Sequence, residues 1–258
     1  MILSVVLITY NEEANLPRTL ESVVPLVRDG RGEIIVVDSG STDRTLEIAR
    51  SFGAQVFVEP WKGFAAQKNS AMEKASGDWV LQLDADESLE TELRAEIDAT
   101  LRAAPAVNGF WIPRKNFFLG RWICHGGFYP DPKLRLVRRG AGKFEEYGAH
   151  PTMKVEGATP RFKHALLHHA YPTLRGYIDH MNSYSSSGAT IALANGHRSF
   201  SLINIVLRPL LTFVYNYFIR LGFLDGREGL LLHLYHSAYV SWKYAKAWEL
   251  ACTPSRSP

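Results

Sequence analysis

The chain has few cysteines, and its first residues are not expected to form a leader. Its 258 residues include only two cysteines, Cys124 and Cys252, which lie far apart and in no metal-ligand spacing. A disulfide-stapled fold is therefore excluded, and reduced thiols in a cytoplasmic protein are expected. No basic segment or cleavage site accompanies the apolar start at residues 1–8. We therefore predict a buried strand there instead of a signal peptide.

Long uncharged apolar runs are also missing. Between Phe200 and Leu224 the only charges are Arg208 and Arg220, and the run between these arginines has 11 residues. A transmembrane helix needs about 20, so no simple span is predicted. A polar stripe repeats every four residues opposite a broad apolar face, which predicts a helix lying in the membrane interface. The stripe comprises Asn204, Arg208, Thr212, Asn216 and Arg220.

Residues 230–250 carry tyrosines and tryptophans together with Lys243 and Lys246. This mixture is typical of the interfacial belt of a membrane. The alternative is a pair of core helices that pack on the N-terminal domain or on another subunit.

The net charge of +3 is unevenly distributed. Residues 161–258 carry a net charge of +6, whereas residues 1–160 carry −3. No basic helix or finger motif accompanies the positive part, so a membrane surface or an anionic lipid-like substrate is favoured over nucleic acid. Hydrophobic residues at 46% and charged residues at 21% exclude a disordered chain.

The first half alternates short β-rich runs with helical stretches. This order predicts an α/β fold with a Rossmann-like, mainly parallel sheet flanked by helices. Beyond Pro172 the chain is predicted to be helical. We therefore expect a first domain at residues 1–170 and a helical, membrane-associating region at residues 171–258. The first-half strands are predicted at residues 3–8, 33–37, 55–59 and 79–83.

Polar clusters follow three of these strands. They lie at residues 9–12, at Asp38 and at residues 84–86. The carboxyl ends of parallel strands share one edge of a sheet, so the three clusters are expected to converge on one cleft.

Asp84 and Asp86 are alternate carboxylates just past a strand. Both suit a hard divalent cation such as Mg²⁺ or Mn²⁺, which often completes its shell with substrate phosphates, or one suits a ribose hydroxyl. A departing diphosphate would need that positive charge. The plainer alternative is a solvated turn or a helix cap.

The other candidates also have plainer alternatives. Asp38 suits either a nucleobase or the turn before the next helix. Thr9 and Tyr10 suit the lining of a base pocket, and the alternative for Tyr10 is packing. Glu12 suits the base or the ribose, and its alternative is a solvated charge. Lys68 suits a phosphate or a helix surface.

Taken together, three segments resemble the family-2 glycosyltransferases of GT-A fold, which use nucleotide-sugar donors. They are Val-Leu-Ile-Thr-Tyr-Asn-Glu-Glu at 6–13, Ile-Ile-Val-Val-Asp-Ser-Gly-Ser-Thr-Asp at 34–43 and Trp-Val-Leu-Gln-Leu-Asp-Ala-Asp-Glu at 79–87. The resemblance implies that Asp86 ligates a divalent metal and that Asp84 lies by the ribose or the metal. It also implies nucleotide-binding roles for Thr9, Tyr10, Glu12, Asp38 and Lys68.

The second half resembles the bacterial lipopolysaccharide-core β-glucosyltransferases. The similarity rests on the segments at 125–131, 134–136, 166–169 and 220–226. It implies inverting transfer of a hexose, with glucose expected, from a nucleoside-diphosphate sugar to a lipid-linked acceptor such as the lipopolysaccharide inner core. An enzyme of this kind is expected on the cytoplasmic face of the inner membrane, as a peripheral protein.

Such a displacement needs a general base near the acceptor hydroxyl. Many of the similar proteins have an acidic residue after the histidine that corresponds to His150, where this chain has Pro151. Glu146 is the leading candidate for the base, followed by Glu145 and Asp131. His150 is expected to orient the base or the acceptor.

Two other functions stay open from the sequence. One is transfer to polyprenyl phosphate, whose anionic acceptor makes a strong protein base unnecessary. The other is a nucleotide-sugar-binding module without turnover. An oligomer is compatible with the sequence, and nucleic acid is not an expected partner.

Overall fold

The computed structural model describes residues 2–147 and 150–253, which divide into two compact units. The first unit comprises Met1–Lys115 and Asp131–His169, and the second comprises Asn116–Pro130 and Ala170–Pro258. The functional division at residue 170 stays a prediction. The described strands are β1 (Leu3–Thr9), β2 (Gly32–Asp38), β3 (Gln55–Val58), β4 (Trp79–Asp84), β5 (Glu87–Leu89), β6 (Gly109–Ile112), β7 (Arg114–Phe118), β8 (Arg121–Trp122), β9 (Lys133–Arg138), β10 (Gly142–Tyr147), β11 (His150–Val155) and β12 (Leu166–Tyr171). The described α-helices are α1 (Leu16–Val27), α2 (Thr45–Ser51), α3 (Phe64–Glu73), α4 (Thr91–Arg102), α5 (Leu174–Ala194), α6 (Arg208–Val214) and α7 (Gly226–Cys252).

A six-stranded sheet in the order β3-β2-β1-β4-β9-β6 forms the centre of the first unit. The first four strands are parallel, whereas β9 is antiparallel to β4 and β6 is antiparallel to β9. The sheet predicted to be mainly parallel is therefore mixed, with its parallel part built from the expected βαβ units.

Both faces of this sheet are covered, because its central strands are apolar on both sides. Leu3, Val5 and Leu7 of β1 belong to one core cluster together with apolar residues of α1 and α4, while Val6 belongs to a second cluster together with residues of α3. Leu93, Ile97 and Leu101 recur every four residues on α4 and are buried against this sheet.

The second unit is mainly helical. Helices α5 and α7 pack along each other, and two π-helical segments, Ile203–Leu207 and Tyr215–Ile219, flank α6. The predicted helical character beyond Pro172 is confirmed in the described part of that region. No helix within residues 2–147 and 150–253 has the length and hydropathy required to cross a bilayer.

Candidate active site

The three polar clusters meet at the carboxyl edge of the parallel strands. β1 lies between β2 and β4, with Thr9 opposite Asp38 and Ile8 opposite Asp84. The hydroxyl of Thr9 donates to Asp38 Oδ2 at 2.8 Å. The expected convergence of these segments is thus present in the first unit.

Asp38 is fully buried and hydrogen-bonded within its own loop. Oδ1 accepts from the backbone N–H groups of Gly40 and Ser41 at 2.8 and 2.7 Å, and Oδ2 also accepts from the Ser41 hydroxyl at 2.5 Å. The carboxylate therefore shapes the turn that follows β2. Its predicted contact with a nucleotide stays a prediction.

Tyr10 and Glu12 follow β1 and differ in exposure. The Tyr10 ring is 59% exposed, which leaves it open for stacking. Glu12 is half-buried and accepts a hydrogen bond from Asn15 Nδ2 at 2.9 Å. Burial raises the pKa of Glu12, and the negative charges of Asp86 and Asp84 raise it further. Glu12 is therefore close enough to Asp84 and Asp86 for the three carboxylates to repel one another.

Asp84 lies between two buried cations. Lys68 Nζ is 2.5 Å from its Oδ1, and Arg135 Nη2 is 2.7 Å from its Oδ2. Although burial opposes the charge, Arg135 and Lys68 hold the pKa of Asp84 well below its usual range. Both oxygens of Asp84 already accept from these cations, and its metal or ribose role stays a prediction. The exposed fraction of Lys68 is only 6%, so its side chain is buried beside Asp84 and does not lie on the helix surface.

A second carboxylate, Glu87, completes this ion cluster. It is fully buried and pairs with Arg135 at 2.6 Å and with Arg114 at 3.2 Å. It also accepts from the backbone N–H of Asp84 at 3.0 Å. Glu87 and Arg114 were not among the predicted site residues, and only the position of Glu87 beside Asp86 could have signalled its role.

Asp86 lies beside a histidine from a distant strand. His168 of β12 is opposite Glu87 of β5, and its Nε2 is 3.3 Å from Asp86 Oδ2. Burial opposes the Asp86 charge, but the hydrogen bond and charge of His168 lower the pKa of Asp86 overall. His168 belongs to the segment at 166–169 that carries the resemblance, but the sequence indicates no role for it.

The donor atoms of this pair suit a divalent cation. Carboxylate oxygen suits Mg²⁺ and Mn²⁺, and imidazole nitrogen is a common ligand of first-row transition metal ions. Within the ranges 2–147 and 150–253, no three His, Cys, Asp or Glu side chains are grouped to hold a metal. A cation at Asp86 and His168 would therefore take its other ligands from substrate oxygens and water.

The predicted base candidates differ in what surrounds them. Asp131 pairs with Arg114 at 2.6 Å and with Lys133 at 2.9 Å, and these cations lower its pKa although burial opposes the charge. Glu145 is exposed on β10. The side chains of Glu146 and His150 lie outside the described residues. None of these four roles is tested by the geometry.

A family model supplies the assignment. The model of glycosyl transferase family 2 matches residues 4–152. The chain belongs to this family. Among curated members, a lipopolysaccharide core biosynthesis glycosyltransferase, LpsC of Rhizobium meliloti, is 31% identical over 87% of the chain and 82% of its own length. An uncharacterized glycosyltransferase of Rickettsia typhi is 28% identical over 96% of the chain and 87% of its own length.

Solved structures share the fold of this family-2 member at low sequence identity. Mannosyltransferase PcManGT from Pyrobaculum calidifontis, in complex with GDP-Man and Mn²⁺, has a TM-score of 0.54 at 17% identity, covering 95% of this chain and 86% of its own. Residues 1–349 of S. aureus TarS, in complex with UDP-GlcNAc, have a TM-score of 0.51 at 16% identity, covering 99% and 93%. These similarities support a GT-A-like α/β fold.

Proposed function

We propose that this family-2 glycosyltransferase transfers a hexose, with glucose expected, from a nucleoside-diphosphate sugar to the lipopolysaccharide inner core. The observation that carries the proposal is the pair Asp86 and His168, which lies at the strand edge that also carries Tyr10 and Glu12. The similarity to LpsC over most of the chain supports the acceptor.

The donor is proposed to bind along this edge. The exposed Tyr10 ring would stack on the nucleobase, and Glu12 would accept from the base or the ribose. Thr9 and Asp38 would shape the loop that surrounds the base, through their mutual hydrogen bond. Lys68 and Asp84, bound to each other, would fix the floor under the diphosphate.

Asp86 and His168 are proposed to hold Mg²⁺ or Mn²⁺ beside the diphosphate. When bound, such an ion neutralises the charge that develops on the leaving diphosphate. The residues fit, because two protein ligands leave room for phosphate oxygens in the coordination shell.

The reaction would be a single displacement. The acceptor hydroxyl oxygen forms a bond to the anomeric carbon, the bond from that carbon to the diphosphate oxygen breaks, and a base takes the hydroxyl proton. Glu146 is kept as the leading base, followed by Glu145 and Asp131, with His150 in the orienting role. Because Asp131 is held in two ion pairs, an acceptor that needs no strong base, polyprenyl phosphate, is a second candidate.

The second unit is proposed to bind the cytoplasmic face of the inner membrane. Its segment from 200 to 224 exposes many large apolar side chains, far more than scattered surface residues would. We call this set the apolar patch. It comprises Phe200, Leu202, Ile203, Val206, Leu207, Leu210, Leu211, Val214, Tyr215, Phe218, Ile219, Leu221, Phe223 and Leu224.

The test is a panel of nucleoside-diphosphate sugars with a truncated lipid-linked core acceptor and with polyprenyl phosphate, each with and without divalent cation. Asp86→Ala is expected to abolish transfer, since it removes the carboxylate of the proposed cation site, and to leave the circular dichroism spectrum unchanged. Transfer by this variant at the wild-type rate would contradict the metal role. Donor binding without transfer to any acceptor would favour a binding module without turnover.

A further inference from the structure

Two segments that have no role in the proposed transfer meet within the second unit. They are the His-Gly-Gly sequence at 125–127 and the loop from Arg220 to Asp225. The backbone N–H of Gly126 donates to the carbonyl of Arg220 at 2.9 Å. Asp225 accepts from the backbone N–H groups of His125 at 2.8 Å and Cys124 at 3.2 Å. The two loops are therefore fixed to each other.

The imidazole of His125 is held in one orientation. Its Nδ1 lies 3.0 Å from Oδ1 of Asp225, a carboxylate that is only 2% exposed, while the His125 side chain itself is 35% exposed. Asp225 precedes α7 but does not cap that helix with its side chain. A neutral imidazole that donates through Nδ1 has an acceptor at Nε2. The site thus offers an oriented acceptor for a hydroxyl.

An exposed guanidinium lies over the adjacent glycine. A Cβ on Gly127 would overlap the Arg220 guanidinium, and Gly127 has a φ of 88°. The Tyr215 ring centre is 5.7 Å from the guanidinium carbon. Over the part of the chain that the structure describes, no carboxylate is paired with Arg220. An uncompensated guanidinium suits a planar or tetrahedral anion such as phosphate.

The imidazole of His125 and the guanidinium of Arg220 both lie next to the pair Gly126 and Gly127. His125 and Gly127 are two residues apart, which spans at most about 7 Å. Beneath them, Gly126 lies against the ring of His233, which is 1% exposed. The same ring lies against Gly222, so a side chain at either glycine would overlap it. Packing against His233 therefore fixes the backbone of both loops that carry the two polar groups.

We propose that His125, Asp225 and Arg220 form a recognition site for a phosphorylated saccharide. A sugar hydroxyl would donate to His125 Nε2, and a phosphate on the same saccharide would accept from Arg220. A hydroxyl close to a phosphate also occurs in glycerol-phosphate lipid headgroups. The saccharide is chosen because the proposed acceptor is a saccharide, and the headgroup is an outcome of the test. That this saccharide is the acceptor rests on the proposed function, whereas the site itself does not.

The test measures binding of a soluble, deacylated core oligosaccharide to the full chain by calorimetry, before and after phosphatase treatment. His125→Asn keeps a donor toward Asp225 and removes the acceptor at Nε2. Arg220→Gln removes the cation. Each is expected to weaken binding of the phosphorylated oligosaccharide about tenfold or more, as for other lost hydrogen bonds of charged groups. Phosphatase treatment is expected to erase the difference between wild type and Arg220→Gln.

The control is Arg227→Gln, which changes a nearby exposed arginine that is already paired with Glu228 at 2.9 Å. This control is expected to bind the phosphorylated oligosaccharide with wild-type affinity. Equal affinity of all variants would contradict the proposed site. Because Arg220 is exposed, its variant tests the site even if His125→Asn lowers stability.

Two further arms separate the alternatives. If Arg220→Gln weakens binding to phosphatidylglycerol vesicles but not to the oligosaccharide, the anion is a headgroup and the proposal is overturned. Weakened oligosaccharide binding in a protein that transfers no sugar supports the site and contradicts the proposed function. Transfer with an unchanged KM for the acceptor in both variants overturns the site alone.

Discussion

Asp86 and His168 come from segments 82 positions apart in the chain and place an oxygen and a nitrogen 3.3 Å from each other. In the isolated protein this is a hydrogen bond that favours the ionised carboxylate. With a cation present, the same two atoms would be its protein ligands. The contribution of His168 to cation binding can therefore be measured from how transfer activity depends on the cation concentration.

We predict that His168→Gln raises the Mn²⁺ concentration needed for half-maximal transfer by about tenfold or more, since loss of groups at a metal site commonly costs 10- to 100-fold in affinity. Titration of transfer activity with Mn²⁺ measures the effect. His164→Gln, at an exposed position before β12, is the matched control. An unchanged Mn²⁺ dependence in His168→Gln would exclude the histidine as a ligand.

Arg135 joins the carboxylates of Asp84 and Glu87 at 2.7 and 2.6 Å and is almost fully buried. We predict that Arg135→Met lowers the free energy of unfolding by about 3–5 kcal/mol, because two buried carboxylates lose their shared cation. Urea unfolding measures the difference.

Arg139→Met, at an exposed position four residues later, is the control for Arg135→Met. It is expected to change the free energy of unfolding by less than about 0.5 kcal/mol. Similar losses in the two variants would show that the ion cluster adds little to stability.

The sequence indicates which residues reach the site edge better than it indicates their partners. Asp38, Asp84 and Asp86 follow strands whose order is evident from the βαβ pattern, so their convergence is predictable. Glu87, Arg114 and His168 reach the site through β5, β7 and β12, which pair over long sequence separations and have no periodic signal. Arg135 has no local sequence signal for its ion pairs, because only its position in β9 buries it beside Asp84.

At the scale of elements, the apolar patch reverses the usual helix pattern. Leu202, Ile203 and Ile219 are 65 to 67% exposed, whereas Asn204 and Asn216 of the polar stripe are half-buried. Arg208 of that stripe contacts the Tyr244 hydroxyl of α7. These three residues of the stripe thus take part in packing within the second unit, whereas Arg220 is exposed. The apolar side chains face outward, as the proposed membrane contact requires.

We predict that Leu202→Glu and Ile219→Glu each weaken binding to anionic vesicles by about tenfold or more, since burying one such side chain contributes about 1.5–3 kcal/mol. Co-sedimentation with phosphatidylglycerol vesicles measures the binding. Val58→Glu changes a residue with 58% exposure in the first unit and is expected to have no effect. If the patch variants bind vesicles normally but change the mass in solution, the patch is a subunit contact.

For the whole molecule, acid stability is expected to depend on buried histidines. Burial lowers the pKa of His233 to about 4, the charge of His236 acts in the same direction, and Asp225 opposes both. The unfolded chain takes up this proton near the ordinary value of 6.5. The stability present above pH 6.5 is therefore lost as the pH falls from 6.5 toward 4, by about 3 kcal/mol for this group.

We predict that His233→Gln shows a smaller loss of unfolding free energy between pH 7 and pH 4 than the wild type. Burial also lowers the pKa values of His236 and His169, but both remain in the variant, so the comparison isolates His233. Urea unfolding at the two pH values measures the loss. Equal losses in the two proteins would mean that His233 is protonated in the folded state without penalty.

The division into units was harder to foresee than the strands. The change from βαβ alternation to helices near residue 170 is visible in the composition. Residues 116–130 group with the helical part, although a strand-rich segment follows them, and no local pattern distinguishes them. Residues 116–130 contact the helical part through side chains far away in the sequence. One example is the contact between His125 and Asp225, which are 100 positions apart.

Asp225 immediately precedes α7, whose 27 residues extend about 40 Å. Helix α6, within the outward-facing apolar segment, packs against α7. A tilt of α7 would therefore displace the carboxylate that orients His125. If the proposed membrane contact moves α6, that motion would reach Asp225 through α7, and the proposed saccharide site would then respond to docking.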